Sequence, residues 1–212
     1  MERVDAVELL EDHSLPADVV ASAYHDLART QRLLGNRAAI LRRLRRSGRI
    51  GSVLDIGCGQ GALLEEIRRK LGVRVVGFDL RPAPTSEAVP ILTGNAVVDR
   101  LPDADVAVAV CLVHHLPEAD VVKLIRNVSK SCRRLIVLDL VRHWIPLTLF
   151  RVFMSPLLHR INAADGITSI KRAYTPKELR AMVEEAVQGS NARIEHTVAP
   201  FYIRQVVDIS WP

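Results

Sequence analysis

The segment VLDIGCGQG, residues 53–61, follows an apolar run with an acid and three glycines. Glycine inside a helix or strand costs roughly 0.5–1 kcal/mol against alanine. Gly57, Gly59 and Gly61 therefore point to a turn whose backbone a ligand must approach closely. Asp79 closes the next apolar run, VRVVGFDL, at the position where an acid accepts hydrogen bonds from ribose hydroxyls. The combination predicts a nucleoside-containing cofactor. The spacing is G-x-G-x-G with Asp55 just before it, neither the G-x-G-x-x-G of a dinucleotide loop nor the G-x-x-x-x-G-K-[ST] of a P-loop. Further along, CLVHHLPEAD carries His114 and His115, the side-chain type that gains and loses a proton near neutral pH.

These residues need a scaffold that brings strand ends together. SVLDI, VRVVGFDL, VPILTGN, ADVAVAVCLV and RRLIVLDLV read as five strands. ADVAVAVCLV is apolar almost without alternation, as expected of a strand covered on both faces. GALLEEIRRKLG and PEADVVKLIRNVSKS read as helices between them, with Leu64, Ile67 and Leu71 on one inward face and Val121, Leu124, Ile125 and Val128 on the other. TPKELRAMVEEAV opens with Thr175 three residues before Glu178, a capping box with Pro176 in the first turn. The tail from residue 192 to 210 is β-rich and broken by Pro200. Strands alternating with helices predict an α/β fold with a doubly wound, mostly parallel sheet, whose ligand crevice lies at the carboxyl ends of the strands. Ahead of it, LPADVVASAYHDLARTQRLL and RAAILRRLRRSG read as two amphipathic helices, with Gly35 as a stop and Asn36 as a new cap. Residues 1–50 are thus an N-terminal helical segment of the same domain, and 51–212 carry the sheet.

The chain of 212 residues is 49% hydrophobic and 25% charged, so it folds around a core and stays soluble. The first residues carry acids and no apolar stretch of a secretory signal. HWIPLTLFRVFMSPLLH is interrupted by prolines and Arg151 and is a poor bilayer span. Three scattered cysteines make neither a disulfide framework nor a zinc site, and a reducing cytoplasm is the expected compartment. The net charge of +5 is concentrated in LRRLRRSGR, and aromatics are only 4%. That leaves few stacking platforms for nucleic acid, which is not the expected partner.

VLDIGCGQG with VVGFDL resembles motif I and the following acidic strand of class I S-adenosylmethionine-dependent methyltransferases, over about residues 51–140. The resemblance implies a Rossmann-like core with S-adenosylmethionine as cofactor. It implies that Gly57, Gly59 and Gly61 pass the methionine part, that Asp79 holds the ribose and that Asn95, after the third strand, meets the adenine, with Asp55, Cys58, Leu80, Ala96 and Cys111 as further cofactor-binding residues. Asn95 stands where the family often has Asp, and its amide still offers a carbonyl acceptor. The absence of N-P-P-Y after the fourth strand argues against base nitrogens and side-chain amides as acceptors.

HHLP is similar to the corresponding segment of small-molecule methyltransferases, including quinone-pathway and polyketide enzymes. His114 or His115, as a neutral imidazole, would take a proton from a phenol or enol. Residues 141–174 are apolar, with Trp144, Phe150, Phe153, Met154 and Leu157 among them, and insertions here in the family form a helical lid over the acceptor. A dimer interface, a membrane-surface helix or packing on the N-terminal helices are the other readings of this run. His143, Trp144, Arg172 and Tyr174 are the expected substrate-facing residues. The implied activity is methyl transfer to a small hydrophobic or aromatic acceptor, foremost O-methylation of a phenol, quinol or polyketide. RNA or protein methylation and a catalytically silent cofactor-binding scaffold are the alternatives. No metal is expected, and the oligomeric state is left open.

Overall fold

A computed structural model describes residues 1–6, 8–9, 30, 34–46, 48–81 and 89–212. Among these residues seven strands form one sheet: β1 Ser52–Ile56, β2 Arg74–Asp79, β3 Ile91–Thr93, β4 Val106–Val110, β5 Arg134–Asp139, β6 Arg193–Val198 and β7 Gln205–Ser210. Their order is β3-β2-β1-β4-β5-β7-β6. The first five are parallel, and β7 runs antiparallel between β5 and β6. The strand order reverses between β1 and β4, which opens the ligand crevice at their carboxyl ends.

Alternation along the strands sorts the core into two layers. Leu54, Ala107, Leu135 and Ile209 face helices α3 Glu118–Val128 and α6 Pro176–Ala186. Val53, Val106, Ile136 and Val206 face α1 Asn36–Arg46 and α2 Ala62–Leu71. The inward residues expected for α3 are all buried, and the capping box at Thr175 and Glu178 is present in full. Between β5 and β7, Arg134 clasps Asp208 with two hydrogen bonds of 2.7 and 2.6 Å, fixing their register.

Two readings of the N-terminal segment need revision or fall outside the structure. Asn36 is the first helical residue rather than a cap, with Gly35 in the turn before it at φ +71°. The first expected helix lies outside the described residues, Thr30 and Leu34 apart. The run after β5 is helical, as expected: α4 Trp144–Leu149, a π-helical turn Phe150–Met154, a 3-10 turn Ser155–Leu157 and α5 Arg160–Arg172. No helix among the described residues is long and apolar enough to cross a membrane.

Candidate active site

β1 ends in the glycine turn, and Gly57, Gly59 and Gly61 all lie at positive φ, +71°, +54° and +75°. This is left-handed backbone, which side chains with a Cβ resist. The turn is tied down from β2. Gly57 N donates to Phe78 O at 2.8 Å, and Gly59 N donates to Asp79 Oδ2 at 2.8 Å. The other oxygen, Asp79 Oδ1, accepts from Arg81 N at 2.8 Å. A carboxylate has about four lone-pair sites, so both oxygens keep capacity for a ligand hydroxyl. Gly77, not singled out from the sequence, is a second requirement: a Cβ there would run into the Cys58 sulfur and Ile91. Opposite the turn, Cys111 sits at φ +53°, a conformation costing on the order of 1–3 kcal/mol that places β4's end at the crevice.

Asp55 is buried in the floor, and burial, helped by the charge of Asp79, pushes its carboxyl up to about 8. Burial with Asp55 and Asp79 likewise pushes the Cys58 thiol to about 12, so it is not a nucleophile at neutral pH. Asp55, largely protonated at neutral pH, offers a hydroxyl donor and a carbonyl acceptor in the floor, and Asp79 offers carboxylate oxygens beside the turn, which suits a ligand with a ribose such as S-adenosylmethionine. Asn95 lines the same cavity, with Oδ1 accepting from Val97 N at 3.0 Å and one lone pair to spare.

One cavity of about 1120 Å³ joins this turn to a second, apolar half. Clefts for a single small ligand run to about 1,000 Å³ at most, so the volume fits a cofactor and an acceptor together. Val141, Pro146, Leu149, Phe150, Phe153 and Ile170 wall the second half. Where the halves meet stands His114, on a 3-10 turn Val113–His115 and 2% exposed.

Its Nδ1 lies 2.6 Å from Asp139 Oδ1 at the end of β5, and its backbone N–H donates to Asp139 Oδ2 at 3.1 Å. That bond assigns the proton to Nδ1 and leaves Nε2 facing the cavity and Glu8 Oε1, 3.7 Å away. His115 Nε2 stands 4.0 Å from the same oxygen, and the two imidazole centroids are 4.1 Å apart. Glu8 also accepts from Ser169 Oγ at 2.5 Å.

Burial opposes a charge on His114, but Asp139 and Glu8 outweigh it and raise the imidazole to about 9. The neutral imidazole expected at this position is therefore the minor form at pH 7 in the cavity as it stands. Burial also opposes the Glu8 charge, yet the two imidazoles hold its carboxyl below the ordinary value. The donor atoms of Glu8, His114 and His115 lie within 4.8 Å of one another, close enough to share one divalent ion or one proton.

Glu8 reaches the cavity because its segment lies along α5. Arg3 is the clasp: Nε donates to Arg172 O at 2.7 Å, and Nη2 to His114 O and Leu116 O at 3.2 Å. Its guanidinium stacks 4.3 Å over the Tyr174 ring. Leu9 N donates to Asp165 Oδ1 at 2.7 Å on the same helix.

Asp55, Gly57, Cys58, Gly59, Asp79, Leu80, Asn95, Ala96, Cys111, His114, His115 and Arg172 all line the cavity. Gly61 supports it from behind, donating to Cys58 O at 2.9 Å. Three expected substrate residues lie elsewhere. Tyr174 is buried outside the cavity because its hydroxyl donates to Leu116 O at 2.6 Å, and burial raises that hydroxyl to about 12 against the pull of Arg3. His143 caps α4 by accepting from Ile145 N at 3.2 Å and stacks on Tyr202. Trp144 is 63% exposed on the outer surface. Glu8, Asp139 and Ser169 were missed. An acid ending a buried strand was the available signal for Asp139, but nothing near Glu8 in sequence marks it.

Comparison with known proteins places this geometry. The profile of a methyltransferase domain family matches residues 27–186. No curated protein matches the chain in sequence. Among solved structures, the plantazolicin methyltransferase BpumL in complex with SAH shares 13% identity at a TM-score of 0.68, over 96% of this chain and 93% of its own. A putative O-methyltransferase of Nostoc punctiforme PCC 73102 shares 15% at 0.62, over 99% of this chain and 64% of its own. Human N-acetylserotonin methyltransferase in complex with SAM shares 16% at 0.57, over 95% and 61%. These likenesses carry the fold. The profile spans both the glycine turn and the histidine turn, and on that ground the chain belongs to this family of S-adenosylmethionine-dependent methyltransferases.

Proposed function

We propose that this enzyme methylates a hydroxyl of a small hydrophobic aromatic acceptor, a phenol or quinol, with His114 as the base. The observation that carries this reading is the position of His114. It stands between the carboxyl-lined cofactor half and the apolar half of one cavity, with Asp139 behind it. When bound, S-adenosylmethionine supplies a sulfonium methyl carbon whose C–S bond breaks with the electron pair going to sulfur. The glycine turn and Asp79 fix the cofactor end, and Phe150, Phe153 and Ile170 hold the acceptor ring and exclude water. The acceptor oxygen gives its lone pair to the methyl carbon and its proton to His114 Nε2. Asp139 keeps Nδ1 protonated and steadies the imidazolium that forms.

A base raised to about 9 is better matched to a phenol, ordinarily near pKa ~10, than an unperturbed imidazole would be. The cationic cofactor in the same cavity opposes a second positive charge, so its binding favours the neutral, proton-accepting His114. The test is incubation with S-adenosylmethionine and a panel of water-soluble alkylphenols and quinols, following methyl ether and S-adenosylhomocysteine. Stoichiometric ether is expected. Turnover confined to RNA or protein acceptors, or none with any acceptor, overturns the proposal.

A further inference from the structure

The wall of the acceptor half continues onto the outer surface. Phe153 lines the cavity and is 64% exposed, and Val152, Leu157 and Trp144 are exposed along the same helical run. The 3-10 turn Pro200–Tyr202 packs against α4 and adds Phe201, 67% exposed, and Tyr202. Phe201 and Tyr202 both lie at positive φ, +58° and +56°, although neither is glycine. Two consecutive aromatic residues are thus held in strained backbone, Tyr202 stacked on His143 and Phe201 turned to solvent. Among the described residues of these two segments the charge has one sign. Residues 144–164 contain Arg151 and Arg160 and no acid, and residues 199–204 contain no acid, Arg204 there being turned inward onto Leu34 O and Asn36 Oδ1. Arg151 and Arg160 are exposed.

We infer that this face docks on an anionic lipid bilayer and that the acceptor is an amphiphile dissolved in it, an aromatic head on an alkyl tail. The inference rests on the acceptor half described above. Exposed aromatic and aliphatic side chains at a cavity mouth seat in the interfacial layer, and the arginines meet lipid phosphates. A second copy of the chain fits less well. A two-fold contact would gather the arginines of both copies into one interface with no acid among the described residues of the patch to pair them. With the mouth seated in lipid, a head group enters the apolar half while its tail stays in the membrane, so neither is carried through water.

Vesicle flotation tests this. Wild-type protein is expected to float with vesicles of equal phosphatidylglycerol and phosphatidylcholine, and less with phosphatidylcholine alone. Leu157→Glu/Phe201→Glu and Arg151→Glu/Arg160→Glu should each lower binding roughly tenfold or more. Leu157→Glu/Phe201→Glu should keep its turnover on a water-soluble phenol, which shows that it is folded. Wild-type protein that stays in the lipid-free fraction overturns the inference. So does a lipid-free dimer that the same variants dissociate, which would assign the face to a second copy. Failure on the soluble phenol panel with intact vesicle binding would instead sink the phenol reading and leave the docking face standing.

Discussion

The two halves of the cavity are built in opposite ways. The cofactor half is made by backbone over a short stretch of chain: one turn between β1 and α2, tied to Asp79 by Gly59. The apolar half is made by side chains: a wall from residues 141–170, and at its junction with the turn Glu8, His114 and Ser169, with Asp139 behind His114, brought together by the sheet, the 3-10 turn, α5 and the clasp of Arg3. A site made of backbone tolerates little variation in shape. A site gathered from side chains of separate elements can change its acceptor without disturbing its cofactor.

The sharpest way to break this division is His114→Gln. Turnover should fall about 10²–10⁴-fold while cofactor affinity stays nearly intact. The wild-type rate should rise with pH as His114 loses its proton, and the variant should lack that limb. Glu8→Gln removes one of the two carboxylates that keep His114 protonated, so its limb should move to lower pH. A pH–rate series on the three proteins reads all of this, and a common profile would end the role of His114 as base.

Asp79→Ala tests the other half. Losing charge-assisted hydrogen bonds worth about 1.5–3 kcal/mol should weaken S-adenosylhomocysteine binding roughly ten- to hundred-fold by calorimetry. The acceptor KM should hardly move. An equal loss in both constants would mean that the halves are one mechanical unit.

The smallest effect is on stability. Asp55 goes from 3.8 in the unfolded chain to about 8 in the fold, and His114 from 6.5 to about 9. Both folded values are raised, so the folded protein binds more protons. The stability this gives is present below the unfolded values and is lost as pH rises through the folded ones. The melting temperature of the ligand-free protein should therefore fall between pH 6.5 and 9, and Asp55→Asn should flatten the lower part of that slope. A melting temperature constant across this range would show that neither group carries the proton described.

The same division decides what the sequence could reveal. The cofactor half was legible because its requirements are local: three glycines needing positive φ, and an acid closing the next strand. The sheet was legible from its uninterrupted apolar runs. The acceptor half was half visible. His114 and His115 declare themselves by type, but the partner that sets the chemistry of His114 is Asp139 on another strand, and Glu8 belongs to a segment with no motif at all. Tyr174, His143 and Trp144 show the converse failure. Each has a plausible side chain near the right place, yet Tyr174 and His143 are turned by the acceptor, donor or ring they meet, and Trp144 by the outward face of α4 on which it falls.

The position of β7 also bears on how the protein is made. β5, with Leu135, Ile136, Val137 and Leu138 buried, pairs with β4 on one side and β7 on the other. On a ribosome, β5 emerges long before its outer neighbour, because the helical run, α6 and β6 are all synthesised first. Until residues 205–210 leave the exit tunnel, a greasy strand edge stands open to other chains. β6 does not cover it, since among the described residues it pairs with β7 alone. Slow translation through the last strand would thus favour aggregation of the nascent chain. A destabilised Arg134–Asp208 clasp would prolong the same exposure after release.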